Sequence, residues 1–132
     1  MAGEPILLVE DNEINSRLVS FLLSSSGYEV REAADAQEAL KLLEGFHPRL
    51  ILMDLQLPRM DGYELTRRLK ADPATRDIIV IALTAYAMSG DEEKALGAGC
   101  DGYFTKPIDR RALIAGIART LAAHPRPTDD PP

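Results

Sequence analysis

The chain has 132 residues, 45% hydrophobic and 27% charged, which suits one globular domain around a single core and excludes a disordered or fibrous chain. Its 15 Lys and Arg against 21 Asp and Glu give a formal net charge of -6 with no basic stripe, which argues against direct binding along nucleic-acid phosphates. A single cysteine, Cys100, excludes an internal disulfide, and no apolar run has the length of a membrane span or a signal-peptide core, so the expectation is a cytoplasmic protein that does not engage membranes.

In chain order, short apolar runs alternate with helix-period segments, the pattern of βαβ units on a parallel sheet. Residues 5–9, Pro-Ile-Leu-Leu-Val, predict a first strand that ends in Glu10-Asp11-Asn12, polar residues able to cap the helix to follow. Ile14, Leu18, Phe21 and Leu22 recur at helical spacing and predict the inner face of that helix, with Gly27 as its C-terminal cap. Residues 28–33 alternate as an edge strand does. Asp35 followed by Glu38 makes a capping-box-like start for a second helix whose inner face is Ala36, Ala39, Leu40 and Leu43.

Residues 50–53, Leu-Ile-Leu-Met, are continuously apolar, as in a strand covered on both faces, and the run stops at Asp54 ahead of Pro58 and the Asp61-Gly62 turn. A third helix carries Leu65 and Leu69 inward and ends at Asp72-Pro73, because the residue before a proline disfavours the helical region. Residues 77–83 are the most β-branched run and end at Thr84. Ser89 and Glu92 start a short, weakly apolar fourth helix that fades at Gly97-Ala98-Gly99. A fifth strand over residues 100–105 ends at Lys106-Pro107, and Leu113, Ile117 and Leu121 share one face of a last helix capped by Asp109. The Pro- and Asp-rich residues 124–132 read as a disordered tail behind one domain of residues 1–123.

This alternation predicts an α/β fold, a doubly wound (βα)5 three-layer sandwich whose parallel five-stranded sheet has the flavodoxin-like order 2-1-3-4-5. The first and third strands then lie side by side at the switch point, so Glu10, Asp11 and Asp54 converge, with Thr84 and Lys106 from neighbouring strand ends. Taken singly, each has a bland reading: Glu10, Asp11 and Asp54 as caps, Thr84 as a capping hydroxyl, Lys106 as a surface amine. His47 and His124, beside prolines, read as surface residues, and Cys100 as a small buried hydrophobe. Taken together, three clustered carboxylates repel one another and invite a cation; hard oxygen ligands that leave room for water and phosphate suit Mg²⁺. Lys106 adds a second positive charge.

Val9-Glu10-Asp11-Asn12, Met53-Asp54 with Leu57-Pro58-Arg59-Met60-Asp61-Gly62, Leu83-Thr84-Ala85, and Gly102-Tyr103-Phe104-Thr105-Lys106-Pro107 occur in the order and spacing of one family. Over residues 5–121 the chain resembles a response-regulator receiver domain, the phosphoacceptor half of two-component signalling. Glu10-Asp11-Asn12-Glu13-Ile14-Asn15 and Thr84-Ala85-Tyr86-Ala87-Met88 are similar to receivers of hybrid histidine kinases and of stand-alone cell-cycle regulators. The resemblance implies that Asp54 accepts a phosphoryl group from the phosphohistidine of a histidine kinase or histidine phosphotransfer protein. It implies Mg²⁺ held by Asp11, Asp54 and the backbone carbonyl of Gln56, with Glu10 acting through water, and Lys106 and Thr84 on the phosphoryl oxygens. It further implies Tyr103 as the switch aromatic and a cis peptide bond between Lys106 and Pro107. On this reading the chain is no enzyme in the ordinary sense and catalyses only its own phosphorylation and dephosphorylation. It acts as a monomer or weak dimer on a downstream protein through the face of residues 89–118, either alone or as the receiver of a hybrid kinase.

Two other classes stay in view. A flavodoxin-like electron carrier shares the fold, but Glu10-Asp11-Asn12-Glu13 would repel the flavin phosphate. A phosphohydrolase with an aspartyl-phosphate intermediate shares the chemistry of Asp54 but usually has a second acid where this chain has Gln56.

Overall fold

A computed structural model describes residues 3–55, 62–84, 91–105 and 109–123 of the chain. The elements alternate as expected: β1 (Pro5–Val9), α1 (Glu13–Ser25), β2 (Glu29–Ala33), α2 (Ala36–Leu42), β3 (Leu50–Asp54), α3 (Gly62–Ala71), β4 (Ile79–Thr84), α4 (Asp91–Ala98), β5 (Gly102–Thr105) and α5 (Arg110–Ala123). The five strands form one sheet in the order β2-β1-β3-β4-β5, every pair parallel, as the alternating pattern predicted. β1 lies between β2 and β3, with Ile6 opposite both Val30 and Leu50, and this adjacency brings the ends of β1 and β3 together.

Strand alternation splits the core into two layers of side chains, one on each face of the sheet. Leu7, Val9, Ile51, Met53, Val80 and Ala82 point to the face covered by α2, α3 and α4 through Ala36, Ala39, Leu65, Leu69 and Ala95. Ile6, Leu8, Leu50, Leu52, Ile79, Ile81 and Leu83 point to the other, covered by α1 and α5 through Val19, Leu23, Leu113, Ile117 and Leu121. Burying each of the large aliphatic side chains contributes about 1.5 to 3 kcal/mol. That is why β1, β3 and β4 read as unbroken apolar runs, while β2, at the edge, is largely exposed.

Local signals set the helix ends. Asn12 caps α1, its side-chain oxygen accepting from the Asn15 N–H at 2.9 Å. α1 closes on Gly27, at φ 97°, with Gly27 N–H to Ser24 O at 3.0 Å and Tyr28 N–H to Leu23 O at 3.1 Å, the two bonds of a Schellman turn. Asp35 accepts from the Glu38 N–H at 2.8 Å, while the Glu38 carboxylate reaches back to the Ala34 N–H at 3.4 Å. Asp109 caps α5 by accepting from the Arg111 and Ala112 N–H groups. The cap foreseen for α4 involves Ser89, which lies outside the described residues, as does the tail at 124–132.

The inner face of α1 differs from the expectation. Ile14, Leu18 and Phe21 are 79%, 51% and 69% exposed, and the residues that reach the core are Ser16, Val19 and Leu23. At about 100° per residue these two sets lie on nearly opposite sides of the helix, with half-buried Leu22 between them. Both stripes have helical spacing, and the one that reaches the core can bury its serine because that polar atom is satisfied: Ser16 Oγ donates to Glu32 Oε1 on β2 at 2.5 Å. Among the described residues no helix is long and apolar enough to cross a membrane.

Candidate functional site

The acid rim is assembled at the carboxyl ends of β1 and β3. Glu10 directly follows β1, its N–H paired to Ala33 O of β2 at 3.0 Å, and it is only 4% exposed. Asp11 is exposed on the other side of the same turn. Asp54 is the last residue of β3, held in register with Leu83 of β4 and 3% exposed. One carboxylate oxygen from each of Glu10, Asp11 and Asp54 lies within 4.8 Å of the others.

Helix capping accounts for neither acid of β1's terminus. That job falls to Asn12, and Glu10 instead accepts from the Asn12 N–H at 3.3 Å, which fixes the turn that holds Asp11 at the mouth. Two buried carboxylates beside an exposed one form a cup of hard oxygen donors open to solvent on one side. Like charges so close repel the more strongly the lower the dielectric around them, and a small divalent cation relieves that repulsion. The donor set therefore fits Mg²⁺, which takes few carboxylates and keeps several waters.

Thr84, the last residue of β4, is 3% exposed and sits one strand away from Asp54, one position beyond its register partner Leu83. Tyr103 lies on the edge strand β5 opposite Ala82, half-buried against the cluster that holds Met53 and Leu55. Gln56, Lys106 and Pro107 lie outside the described residues, so the carbonyl, the amine and the cis bond assigned to them are expectations from sequence. Cys100 is the buried small residue expected; burial, above all, pushes its thiol pKa up, and its Sγ lies 3.8 Å from Thr66 Oγ1. His47 is a surface residue paired with Asp77 at 3.2 Å.

One feature of the rim's surroundings escaped the sequence reading: the exposed stripe of Ile14, Leu18 and Phe21 begins on the first turn of α1, immediately beyond Asp11. Its helical spacing is visible in the sequence, but spacing alone does not distinguish a core-facing stripe from an exposed one.

Comparison with known proteins agrees with this geometry. Residues 6–118 match the response regulator receiver domain family. The polar-differentiation response regulator DivK of Brucella ovis is 50% identical over 116 residues, covering 88% of this chain and 94% of the relative, and its counterpart in Brucella anthropi is 48% identical over the same span. Among solved structures, the receiver domain of a signal transduction histidine kinase from Syntrophus aciditrophicus superposes with a TM-score of 0.87 at 32% identity, covering 98% of both chains. The receiver domain of a sensor histidine kinase from Pseudomonas aeruginosa, solved with a magnesium ion coordinated in its active-site cleft, gives a TM-score of 0.84 at 41% identity over 92% of this chain and 99% of that one. Motif order, sheet order and the acid cluster thus lead to one family, and the chain belongs to the response regulator receiver domains of two-component signalling.

Proposed function

We propose that Asp54 accepts a phosphoryl group from a phosphohistidine on a histidine kinase or histidine phosphotransfer protein in a Mg²⁺-dependent reaction, and that the resulting acyl phosphate changes protein contacts at the face of α4, β5 and α5. The observation that carries this reading is the convergence of Glu10, Asp11 and Asp54 at the switch point of the sheet. A carboxylate oxygen of Asp54 attacks phosphorus as the bond to the donor histidine nitrogen breaks, and the donor imidazole leaves with the electron pair. Asp11, Asp54 and the Gln56 carbonyl would hold Mg²⁺, with Glu10 acting through a water, and the bound ion would supply positive charge to neutralise the transferring oxygens. Lys106 adds a fixed positive charge, and the Thr84 hydroxyl donates to a phosphoryl oxygen.

The donor protein needs a seat next to the rim. The exposed Ile14, Leu18 and Phe21 on α1 supply one beside Asp11, and an apolar contact is what an otherwise acidic surface requires to hold a partner. On the output side, α4 buries only alanines among its described residues, Ala95 and Ala98, and leaves Leu96 48% exposed, so it is held less firmly than α3 with Leu65 and Leu69. Thr84 ends the strand that leads into this face, and Tyr103 lies on its edge strand. Drawing Thr84 toward the phosphate lets Tyr103 move inward and α4 repack. Shifting such an equilibrium from one side to the other takes about 5.5 kcal/mol of differential stabilisation, more than the roughly 1.5 to 3 kcal/mol of one hydrogen bond to a charged acceptor, so Lys106 and the metal contribute as well.

The test is incubation with Mg²⁺ and acetyl phosphate, read by intact mass. One phosphoryl group is expected on the wild type and none on Asp54→Asn or in excess EDTA. Labelling that survives either condition would overturn the assignment.

A further inference from the structure

We propose that Gly62 is a positioning residue for the acceptor, its missing side chain allowing α3 to seat backbone against backbone on the end of β3 and so aim the Asp54 carboxylate at the metal cup. The inference rests on the reading of Asp54 as phosphoacceptor and metal ligand.

A Cβ placed on Gly62 would lie 2.8 Å from the Asp54 carbonyl oxygen, 2.8 Å from Leu55 Cα and 3.0 Å from Leu55 Cδ2. The first two of these atoms are main chain, so no side-chain rotation makes room. Backbone freedom does not explain the glycine either: among the described residues the glycines with positive φ are Gly3, Gly27 and Gly99, and Gly62 is not one of them. Its requirement is one of space.

Both sides of the contact are fixed. On the strand side, Asp54 is in register with Leu83, and the Leu55 N–H donates to Leu83 O at 3.0 Å. On the helix side, Leu65 and Leu69 are 0% and 2% exposed, and fully buried Thr66 donates its hydroxyl to Gly62 O at 2.7 Å. The Gly62 N–H closes the joint by donating to Leu55 O at 3.2 Å. A methyl group here must therefore push apart two anchored elements, and the peptide that moves is the one carrying Asp54. By contrast, a Cβ on Gly45 or Gly97 meets nothing within 4 Å.

The experiment compares wild type, Gly62→Ala, Thr66→Val, Thr66→Ser and, as control, Gly45→Ala. Mg²⁺ affinity is measured by calorimetric titration of the folded proteins and by the amide shifts of residues 11 and 54, with thermal unfolding followed in parallel. Gly62→Ala is expected to weaken Mg²⁺ binding by about tenfold or more, the scale on which misaligned ligands lose affinity. Thr66→Val should weaken it less, Thr66→Ser should restore it, and Gly45→Ala should match wild type. A Gly62→Ala protein that melts lower yet binds Mg²⁺ as wild type does would overturn the proposal, since glycine would then serve stability alone. Should Gly62→Ala fail to fold, the Thr66 pair decides: Thr66→Val with wild-type affinity overturns it. Absence of Mg²⁺ binding by wild type would overturn the reading of the site itself and this inference with it.

Discussion

The two ends of the sheet handle charge in opposite ways. At the amino end, residues just ahead of the strands are matched: Glu4 before β1 lies 3.8 Å from Arg49 before β3, and Asp101 before β5 lies 2.9 Å from Lys70 at the end of α3. Lys70 also donates to Ile78 O at 2.7 Å, Asp101 accepts from the Val80 N–H at 2.9 Å, and Arg49 reaches Leu121 O of α5 at 3.2 Å. These bonds tie α3, α5 and the starts of four strands together. At the carboxyl end, three carboxylates, those of Glu10, Asp11 and Asp54, are brought within 4.8 Å of one another. One end uses its charges to hold the sheet, and the other gathers like charges at the switch point.

The largest effect expected from this contrast is ligand-driven. Mg²⁺ at about 100 times its dissociation constant should stabilise the wild type by about 2.7 kcal/mol, seen as a rise in the thermal midpoint. Asp11→Asn should abolish most of that rise and Glu13→Gln, on the next turn but outside the cup, should keep it; equal losses would detach Asp11 from the metal. Next in size, Lys70→Met should cost about 1 to 3 kcal/mol in urea unfolding, toward the lower value because the pair keeps about a quarter of its side-chain surface exposed, with Mg²⁺ affinity unchanged. A change in affinity would show that the two ends are not independent.

A smaller effect is expected from the other partner of that pair: Asp101→Asn, which weakens the contacts to the Lys70 amine and the Val80 N–H, should lower stability by about 1 kcal/mol in urea unfolding. An unchanged midpoint would mean that these contacts do not hold the amino end together. The smallest effect is Asp77→Asn, expected to stay within about 0.5 kcal/mol because His47 and Asp77 are each about half exposed, at 54% and 51%. A loss of more than 1 kcal/mol there would mean that even the exposed pair braces the amino end.

The rim was legible in the sequence because Glu10 and Asp54 each end an apolar run, with Asp11 next in the chain, and the strict alternation of elements leaves few ways to thread the sheet. Gly27 and Asp109 were legible for a similar reason, since caps are local and their chemistry lies within a few residues of the helix end. The face of α1 was not. Two apolar stripes share that helix, and choosing between them needs the Ser16 to Glu32 bond, which comes from another element. The Lys70 and Asp101 pair and the contact of Gly62 with Asp54 were hidden for the same reason: nothing beside either residue in the chain announces a neighbour that only the folded sheet supplies.

The pairing of β1 with β3 rather than with its sequence neighbour alone has a consequence for how the molecule comes into being. Ile6 meets Leu50 only after the whole α1, β2 and α2 excursion has been laid down and folded back, so the acid rim is among the non-local products of folding. A nascent or partly unfolded molecule holding β1, α1 and β2 carries Glu10 and Asp11 but has no Asp54 between strands to complete the cup. Completion of the acid cluster is thereby restricted to chains in which β3 has already joined the sheet.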